Sequence, residues 1–352
     1  MSEFTSTERL ALFRVLDANF NRSSEGLRVL EEFVRFIAND RFLAEELKST
    51  RHQLTTAISQ LSATELLAAR DTQGDLGTAI SLSTETSREG IRELLRANFQ
   101  RVQQALRSLE EYGKLASPTM ATSIEQIRYR TYTLEKAVLR GVSARESLAN
   151  ARLYVLMDRC ESRDAFEQRA RSLIAAGVDV LQLRDKQLDD RTLLECARAL
   201  RAITQSTTTL FIVNDRPDIA AISNADGVHV GQEELSVADV RKIVGAQMLI
   251  GVSTHNIEQS RQAVLDGADY IGCGPTFPST TKSFEQFAGL EFLRAVAKEI
   301  ALPAFAIGGI TRENLAQVRA AGFTRVAVSG GITQASNPAE EAIEFKRRLN
   351  SV

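Results

Sequence analysis

The chain has 352 residues, 43% of them hydrophobic and 25% charged, and its formal net charge is −2. This length suits two domains, and the balanced charge leaves no basic excess for binding nucleic acid or an anionic membrane. The polar start is unlike a signal peptide, and no apolar run approaches the length of a membrane span. The three cysteines form no CxxC pair that would indicate a disulfide framework or a zinc site. These features predict a cytoplasmic protein.

Residues 1–145 predict an all-α domain, because apolar residues recur at helical spacing and alternating β-branched runs are missing. Helical stretches are expected at 88–115 and 123–139. Residues 18–33 and 97–112 agree at nine of sixteen positions. Shared amphipathicity explains the leucines but not the common Asn-Phe, Arg and Glu-Glu, so we infer a duplicated helical unit. Its expected role is scaffolding or contact between copies of the chain, giving a homo-oligomer; a second active site is the alternative.

Residues 146–352 predict a (β/α)₈ TIM barrel, because short β-branched runs alternate with amphipathic helices through this part of the chain. An open dinucleotide-binding sheet is less suitable, since no GxGxxG follows the first strand. Helices are expected at, among others, 164–176, 190–204, 256–266 and 312–321. The expected strands are 153–157, 180–183, 210–213, 227–230, 249–252, 270–273, 304–307 and 325–328.

The second expected strand ends in polar residues that are suited to binding a diphosphate. Alternation along the strand places Gln182, Arg184 and Lys186 on one side and Leu183 on the other. In a TIM barrel the reactive groups lie at the C-terminal ends of strands, and two cations there can hold phosphate oxygens. The alternative is a surface salt-bridge cluster that includes Asp185.

The third and fourth strands are followed by residues that can bind a hard cation. Asp215 is a candidate ligand for Mg²⁺, with Asn214 beside it for a polar ligand, and Glu233 or Glu234 can complete the metal shell. An N-cap role for Asp215 is the structural alternative. His229 lies between two valines, which favours a hydrogen-bonded core histidine over a catalytic one.

The remaining strand ends predict a hydroxyl and two backbone phosphate sites. Ser253 ends the fifth strand within reach of the barrel mouth, and residues 272–282 after the sixth form a glycine- and hydroxyl-rich lid ending in Lys282. Glycine pairs follow strands seven and eight, each expected before a helix whose N-terminal amides hold phosphate. The barrel therefore has two expected anion sites, one cationic and one made of backbone.

Seven motifs together resemble the thiamine phosphate synthase family, in its order and spacing, across essentially all of residues 151–352. They are QLRDK, the Asn-Asp pair, GVHVGQ, GVS, GPTFPSTTK, AIGGI and VSGGIT. The resemblance implies coupling of 4-amino-2-methyl-5-hydroxymethylpyrimidine diphosphate with hydroxyethylthiazole phosphate, which gives thiamine phosphate and diphosphate through a carbocation-like substitution. A barrel that isomerises a thiazole phosphate is the enzymatic alternative, but it needs no diphosphate clamp.

The resemblance also implies roles for individual residues, with Mg²⁺ as cofactor. Asp215 and Glu234 would hold the metal, and Arg184, Lys186, Ser253 and Lys282 would be catalytic. The pyrimidine diphosphate would be bound by Gln182, Leu183, Arg184, Asp185, Lys186, Asn214, Ser253 and Lys282. The thiazole phosphate would be bound by Ser279, Thr280, Thr281, Gly309, Ser329 and Gly330.

Three of these positions depart from the family's usual residues. Glu234 stands where Asp is usual, so its contact with the metal can shift or pass through water. Ser279 replaces a common Thr and keeps the hydroxyl. Gly330 and Gly331 replace a common Ser-Ala, which predicts weaker phosphate binding without its loss.

Overall fold

The computed structural model describes residues 4–75, 88–158, 162–278 and 287–351. The chain divides into two compact units, Met1–Leu139 and Arg140–Val352, where the sequence placed a boundary after residue 145. Within the described residues no helix combines the length and the apolar character needed to cross a membrane.

The first unit is helical in its described residues. Thr5 and Glu8 form a capping box at the start of its first helix, and Asp40 and Ser62 cap the second and third. A π-helical turn, Phe33–Ile37, follows the first helix. The helices are α1 Ser6–Glu32, α2 Arg41–Ile58, α3 Ala63–Ala69, α4 Ile91–Ala116 and α5 Pro118–Ser147, the last of which contains the boundary between the units.

The two copies of the sequence repeat lie on α1 and α4, which pack against each other. Glu31 and its repeat equivalent Glu110 are both buried, and each binds an arginine, Arg51 at 3.1 Å and Arg128 at 2.8 Å. A Cβ added at Gly26 would lie 2.6 Å from Val102 Cγ2, so this glycine permits the close approach of the helices. The repeated Glu thus supports a repeated buried ion pair.

The second unit is a closed parallel barrel with the strand order β1 to β8, which confirms the expected fold. Its strands are almost wholly buried, as parallel strands covered by helices are. The strands are β1 Leu153–Met157, β2 Val180–Leu183, β3 Leu210–Asn214, β4 Gly227–Val230, β5 Leu249–Thr254, β6 Tyr270–Cys273, β7 Ala304–Ile307 and β8 Val326–Val328.

The helices of this unit follow the strands, and several end at a glycine with positive φ, such as Gly177 at 84° and Gly267 at 84°. The helix expected at 312–321 begins only at Leu315, because the side chain of Asn314 bonds to the Thr311 amide and holds the preceding residues in a turn. The helices are α6 Arg163–Ala175, α7 Asp190–Thr204, α8 Pro217–Ile222, α9 Val237–Val244, α10 Ile257–Asp266, α11 Gly289–Glu299, α12 Leu315–Ala320, α13 Gly330–Thr333 and α14 Pro338–Asn350.

Three aspartates close the N-terminal face of the barrel in the same way. Asp179, Asp226 and Asp269 each precede an even-numbered strand and accept a hydrogen bond from an amide of the preceding strand. Each also pairs with a basic side chain from a helix. These contacts stabilise the N-terminal face of the barrel, so we expect the active site at the opposite, C-terminal face.

Candidate active site

A cavity of about 840 Å³ lies at the C-terminal ends of the strands and reaches into the barrel interior. Polar groups surround its mouth, and aromatic rings lie deeper. Its lining includes Tyr154, Gln182, Arg184, Lys186, Asn214, Asp215, His229, Glu233, Glu234, Ser253, Tyr270, Pro278, Phe305, Gly308, Gly309, Ser329, Gly330 and Gly331.

The end of β2 sends alternate side chains into this cavity. Gln182, Arg184 and Lys186 line it. Leu183 is 1% exposed and lies outside the lining, while the Asp185 carboxylate accepts a hydrogen bond from a backbone amide two residues later. The structure therefore brings together the three expected polar residues but places Leu183 and Asp185 away from the cavity.

Two carboxylates converge on one cation at the mouth. Lys186 Nζ lies 3.0 Å from Asp215 Oδ2 and 3.7 Å from Glu234 Oε1. The backbone of Asp215 has φ of 61° and its amide donates to the His229 carbonyl at 2.8 Å. A non-glycine residue in this left-handed region carries a conformational cost, so the β3–α8 loop holds the carboxylate in place against that cost.

This carboxylate pair fits a magnesium ion. Both ligands are hard oxygens, and both already lie close to a single positive charge. Among the described residues, no group of three His, Cys, Asp or Glu side chains is arranged to hold a metal. Mg²⁺ commonly takes one or two carboxylates and fills its remaining positions with phosphate oxygens and water, so two carboxylates are sufficient here.

Glycines shape the cavity wall after β7. Gly308 and Gly309 have φ of 98° and 62°, and a Cβ at Gly309 would lie 2.4 Å from the carbonyl oxygen of Pro278. Both positions therefore require glycine. The expectation that this pair directly precedes a helix is wrong, because α12 starts at Leu315; Gly309 contributes loop backbone and not a helix N-terminus.

The wall after β8 has the expected arrangement. Ser329 precedes α13, and Gly330 and Gly331 are its first residues. The amides at the start of a helix lack acceptors within the helix, and a short helix still exposes them. Both glycines line the cavity, and a Cβ added at Gly331 would lie 2.9 Å from the carbonyl oxygen of Ile310 in the loop after β7.

The loop after β6 begins beside the β7 glycines. Thr276 donates from its amide and its hydroxyl to the Ile307 carbonyl at 2.9 and 3.0 Å, and the Phe277 amide donates to Gly308 at 3.0 Å. The loop therefore leaves β6 directly toward the expected phosphate site. Ser279, Thr280, Thr281 and Lys282 lie outside the described residues.

Sequence reasoning missed the tyrosines of the barrel interior. Tyr270 and Tyr154 hydroxyls lie 3.1 Å apart, and Tyr270 also contacts His229 Nδ1 at 3.2 Å. Gln182 donates to Tyr154 at 2.7 Å, and His229 Nε2 lies 2.9 Å from Ser253 Oγ. His229 is thus hydrogen-bonded and buried as expected, yet it also lines the cavity. The sequence feature that could have revealed this network is a tyrosine within the expected strand β1 and another within the expected strand β6.

Burial determines the protonation of these groups. It lowers the pKa of His229 to about 4, an effect partly opposed by the charge of Asp215 and reinforced by Arg184. Burial also raises the pKa of Tyr154 and of Tyr270 above the usual value. At neutral pH these three groups are therefore uncharged, and the charged side chains that line the cavity lie at its mouth.

Both units resemble known families. The model of a family described as "Thiamine monophosphate synthase" matches residues 153–332, and that of the "ThiD2 family" matches residues 14–137. A solved structure of thiamine phosphate pyrophosphorylase from Pyrococcus furiosus superposes with a TM-score of 0.51 at 29% identity, covering 56% of this chain and 95% of that one.

Curated relatives extend the similarity over nearly the whole chain. A thiamine-phosphate synthase of Rhodopirellula baltica is 47% identical over 99% of this chain and 95% of its own length. A thiamine-phosphate synthase of a Synechocystis species is 41% identical over 97% of both chains. Because the match includes the helical unit as well as the barrel that carries the cavity, the chain belongs to the thiamine-phosphate synthase family.

Proposed function

We propose that the chain, as a transferase of this family, couples 4-amino-2-methyl-5-hydroxymethylpyrimidine diphosphate with hydroxyethylthiazole phosphate. The products are thiamine phosphate and diphosphate. One observation supports this most: a single cavity has a cation–carboxylate cluster at Lys186 on one wall and glycine loops at Gly309 and Gly330 on another. Isomerisation of a thiazole phosphate, the alternative reaction, would not require this cation–carboxylate cluster.

The pyrimidine diphosphate is assigned to the β2–β5 side of the cavity. Arg184 and Lys186 bind the diphosphate oxygens, the first as a planar fork and the second as a point charge. Asn214 and Ser253 supply neutral polar contacts, and Lys282 is assigned to the same substrate from the sequence resemblance. Leu183 and Asp185 lie outside the lining, so no direct contact with the substrate is assigned to them.

Mg²⁺ is assigned to Asp215 and Glu234. When bound, the ion would neutralise charge on the diphosphate. Lys186, which lies between these carboxylates, keeps them from repelling each other and is free to pair with the diphosphate once they hold the metal. Glu233 lines the cavity as well, but the distance to Lys186 favours Glu234 as the second ligand.

The thiazole phosphate is assigned to the β7–β8 side. Gly309, Ser329 and Gly330 present backbone amides and one hydroxyl to an anion. Ser279, Thr280 and Thr281 complete this set by the sequence resemblance. With the two substrates held at separate anion sites, we expect the reacting carbon and nitrogen to meet in the space between the sites, where positioning contributes to the rate.

The chemical step needs stabilised charge and no protein nucleophile. The bond between the pyrimidine methylene and the diphosphate oxygen breaks, and its electron pair leaves with diphosphate. Arg184, Lys186 and Lys282 stabilise that leaving group. The thiazole nitrogen then donates its lone pair to the cation-like methylene carbon, which forms the new bond and the thiazolium charge.

The described side chains agree with this scheme. Burial raises the pKa of the Cys273 thiol to about 12, so it is protonated and a poor nucleophile. His229 is neutral near pH 7, since burial lowers its pKa to about 4. Neither residue therefore supplies covalent or acid catalysis.

The helical unit is assigned a role in assembly. Large apolar side chains are exposed on it, among them Phe36 at 66%, Ile37 at 59% and Leu115 at 54%, and contact with another copy would cover such surface. We infer a homo-oligomer formed through this unit, acting in the cytoplasm on small-molecule substrates and not on nucleic acid. Light scattering on the full chain and on the chain without residues 1–139 tests the assembly.

Product formation tests the function. The purified chain is incubated with both phosphorylated substrates and Mg²⁺, and thiamine phosphate and diphosphate are quantified. Equal amounts of both products are expected, with none when either substrate is omitted and much less after chelation of Mg²⁺. No thiamine phosphate under any of these conditions would overturn the proposal.

A further inference from the structure

Five polar side chains form a continuous hydrogen-bonded line across the barrel interior, which we call the tyrosine–histidine relay. Its members, in order, are Gln182, Tyr154, Tyr270, His229 and Ser253. Four of the five are at most 9% exposed, and both ends line the cavity. Buried polar groups are costly unless they are satisfied, so a line of this length inside a barrel requires an explanation.

We infer one direction along this line from the Gln182 amide, because it gives each tyrosine hydroxyl one bond to accept and one to donate. Gln182 Nε2 donates to the Tyr154 hydroxyl at 2.7 Å, so the single proton of Tyr154 is available for Tyr270, 3.1 Å away. In this direction Tyr270 donates its own proton to His229 Nδ1, which lies 3.2 Å from the Tyr270 hydroxyl oxygen. Each hydroxyl accepts from one neighbour and donates to the next.

The direction determines what the two ends present. A neutral imidazole that accepts at Nδ1 carries its proton on Nε2, which points to Ser253 Oγ at 2.9 Å. Ser253 accepts there, so its own proton is free for the cavity. At the other end, Gln182 Oε1 is buried and has no hydrogen-bond partner within the described residues. One end is thus a donor and the other an acceptor.

The neighbouring backbone makes room for this line. A Cβ at Gly251 would lie 2.1 Å from Tyr270 Cζ and 2.5 Å from His229 Nδ1. A Cβ at Gly272 would lie 3.3 Å from His229 Cε1. Any side chain at residue 251 would therefore break the middle of the relay, which indicates that the glycine there serves it.

We propose that Tyr154, Tyr270 and His229 are positioning residues for the pyrimidine substrate. Their relay holds Gln182 as an acceptor and Ser253 as a donor toward one ring. An aminopyrimidine edge carries an N–H donor beside a ring-nitrogen acceptor, which is the complementary pattern. This inference rests on the proposed function for the identity of the ring, but the direction of the relay is independent of it.

The tautomer of His229 tests the direction without any substrate. The chain has three histidines, so ¹⁵N-histidine NMR with His52→Gln and His255→Gln assigns the His229 signals. The Nε2–H tautomer is expected in the parent chain, and loss of that preference in Tyr270→Phe. An Nδ1–H tautomer in the parent chain, or an unchanged tautomer in Tyr270→Phe, would overturn the proposal.

Binding tests the consequence for the ligand. Calorimetry compares the 4-amino pyrimidine diphosphate with its 4-oxo analogue, in which the donor and acceptor positions are exchanged. The parent chain is expected to bind the amino compound about 100-fold more tightly than the oxo compound. In Tyr270→Phe and in Tyr154→Phe this ratio of affinities is expected to fall by about tenfold or more. Binding without the thiazole partner avoids any difference in chemical reactivity between the analogues.

Phe305→Leu is the matched control. The Phe305 ring contacts Tyr154 and Tyr270 at centroid distances of 5.3 and 5.7 Å without hydrogen bonding. Its loss alters packing, so it is expected to weaken both analogues by the same factor and keep their ratio. An unchanged ratio in Tyr270→Phe would contradict the proposal. If the parent chain bound neither compound, the proposed function would fail, and the tautomer would still decide the relay.

Discussion

Lys186 Nζ lies 3.0 Å from Asp215 Oδ2, so a side chain from the end of β2 bridges to one from the end of β3. Glu234, after β4, reaches the same ammonium group at 3.7 Å. Without a bound ligand this lysine balances two carboxylates that would otherwise repel each other. The same three groups are those to which we assign Mg²⁺ and diphosphate binding.

Asp215→Ala is expected to abolish Mg²⁺-dependent turnover, because one of two carboxylate ligands is lost. The measurement is the initial rate of thiamine phosphate formation as a function of Mg²⁺ concentration. Asp239→Ala is the control, since that carboxylate is in an exposed pair with Lys242 and is expected to keep the parent's Mg²⁺ dependence. A fully active Asp215→Ala variant would remove the metal assignment.

Glu234→Gln is expected to raise the Mg²⁺ concentration needed for half-maximal rate by about 10-fold or more, at least the loss that follows when a partner of a metal ligand is altered. The adjacent Glu233 also lines the cavity, and Glu233→Gln is expected to cause little change. The same Mg²⁺ titration checks both variants. A larger effect at residue 233 than at residue 234 would show that the second ligand is assigned to the wrong glutamate.

Gly309→Ala is expected to destabilise the fold and to raise the KM for the thiazole phosphate. Alanine at φ of 62° costs about 1–2 kcal/mol, and its Cβ would also lie 2.4 Å from the Pro278 carbonyl oxygen. Gly289→Ala has a similar φ of 68°, and its Cβ would meet no atom of the described residues within 4 Å, so it isolates the conformational cost. Urea unfolding compares the two, and equal destabilisation would argue against the steric contact.

Folding stability is expected to fall as the pH decreases from 7 to 5, because His229 is harder to protonate in the folded state. Its pKa is lowered from 6.5 to about 4, so the unfolded chain binds more protons in this window and stability rises with pH. The linkage amounts to about 2 kcal/mol between pH 7 and 5. Urea unfolding in chelator measures it, and His229→Gln is expected to lose this component. An equal pH dependence in both chains would contradict the lowered pKa.

Asp269→Ala is expected to destabilise the chain by about 3–5 kcal/mol, the range for removing one partner of a buried ion pair. Asp269 is 2% exposed, bonds to Arg241 at 2.6 Å and accepts from the Ile250 amide at 2.9 Å. Thermal or urea unfolding measures the change. Asp239→Ala, in its exposed pair, is expected to have little effect, and a small effect at Asp269 would argue that the N-terminal face is not critical for stability.

The barrel was predictable because each strand is a short buried run with helical periodicity on either side. Five of the eight expected strands have the observed bounds, and residues 210–213, 249–252 and 325–328 differ by one or two positions. The start of α12 was not predictable, since it depends on the Asn314 side chain bonding to the Thr311 amide and the Gly309 carbonyl. The helix propensity of the residues does not predict such a side-chain contact.

The residues at the mouth of the cavity could be predicted from the sequence, whereas the residues of its interior could not. Alternation along one strand is sufficient to place Arg184 and Lys186 in the cavity. Tyr154 and Tyr270 meet only because β1 and β6 face each other across a closed barrel, and this relationship depends on the register of every strand between them. Both tyrosines lie within the short apolar runs LYVLM and YIGC, so the sequence alone did not distinguish them from core residues.

The central claim is that one cavity holds two separate anion sites, and crossed binding measurements test it most directly. The Kd of each substrate alone is measured for the parent chain, Lys186→Gln and Gly309→Ala. Lys186→Gln is expected to weaken the pyrimidine diphosphate by about 10-fold or more, the loss expected for a charged hydrogen bond, and to leave the thiazole phosphate unchanged. Gly309→Ala is expected to do the reverse. If either variant weakened both substrates equally, the two-site account would be contradicted.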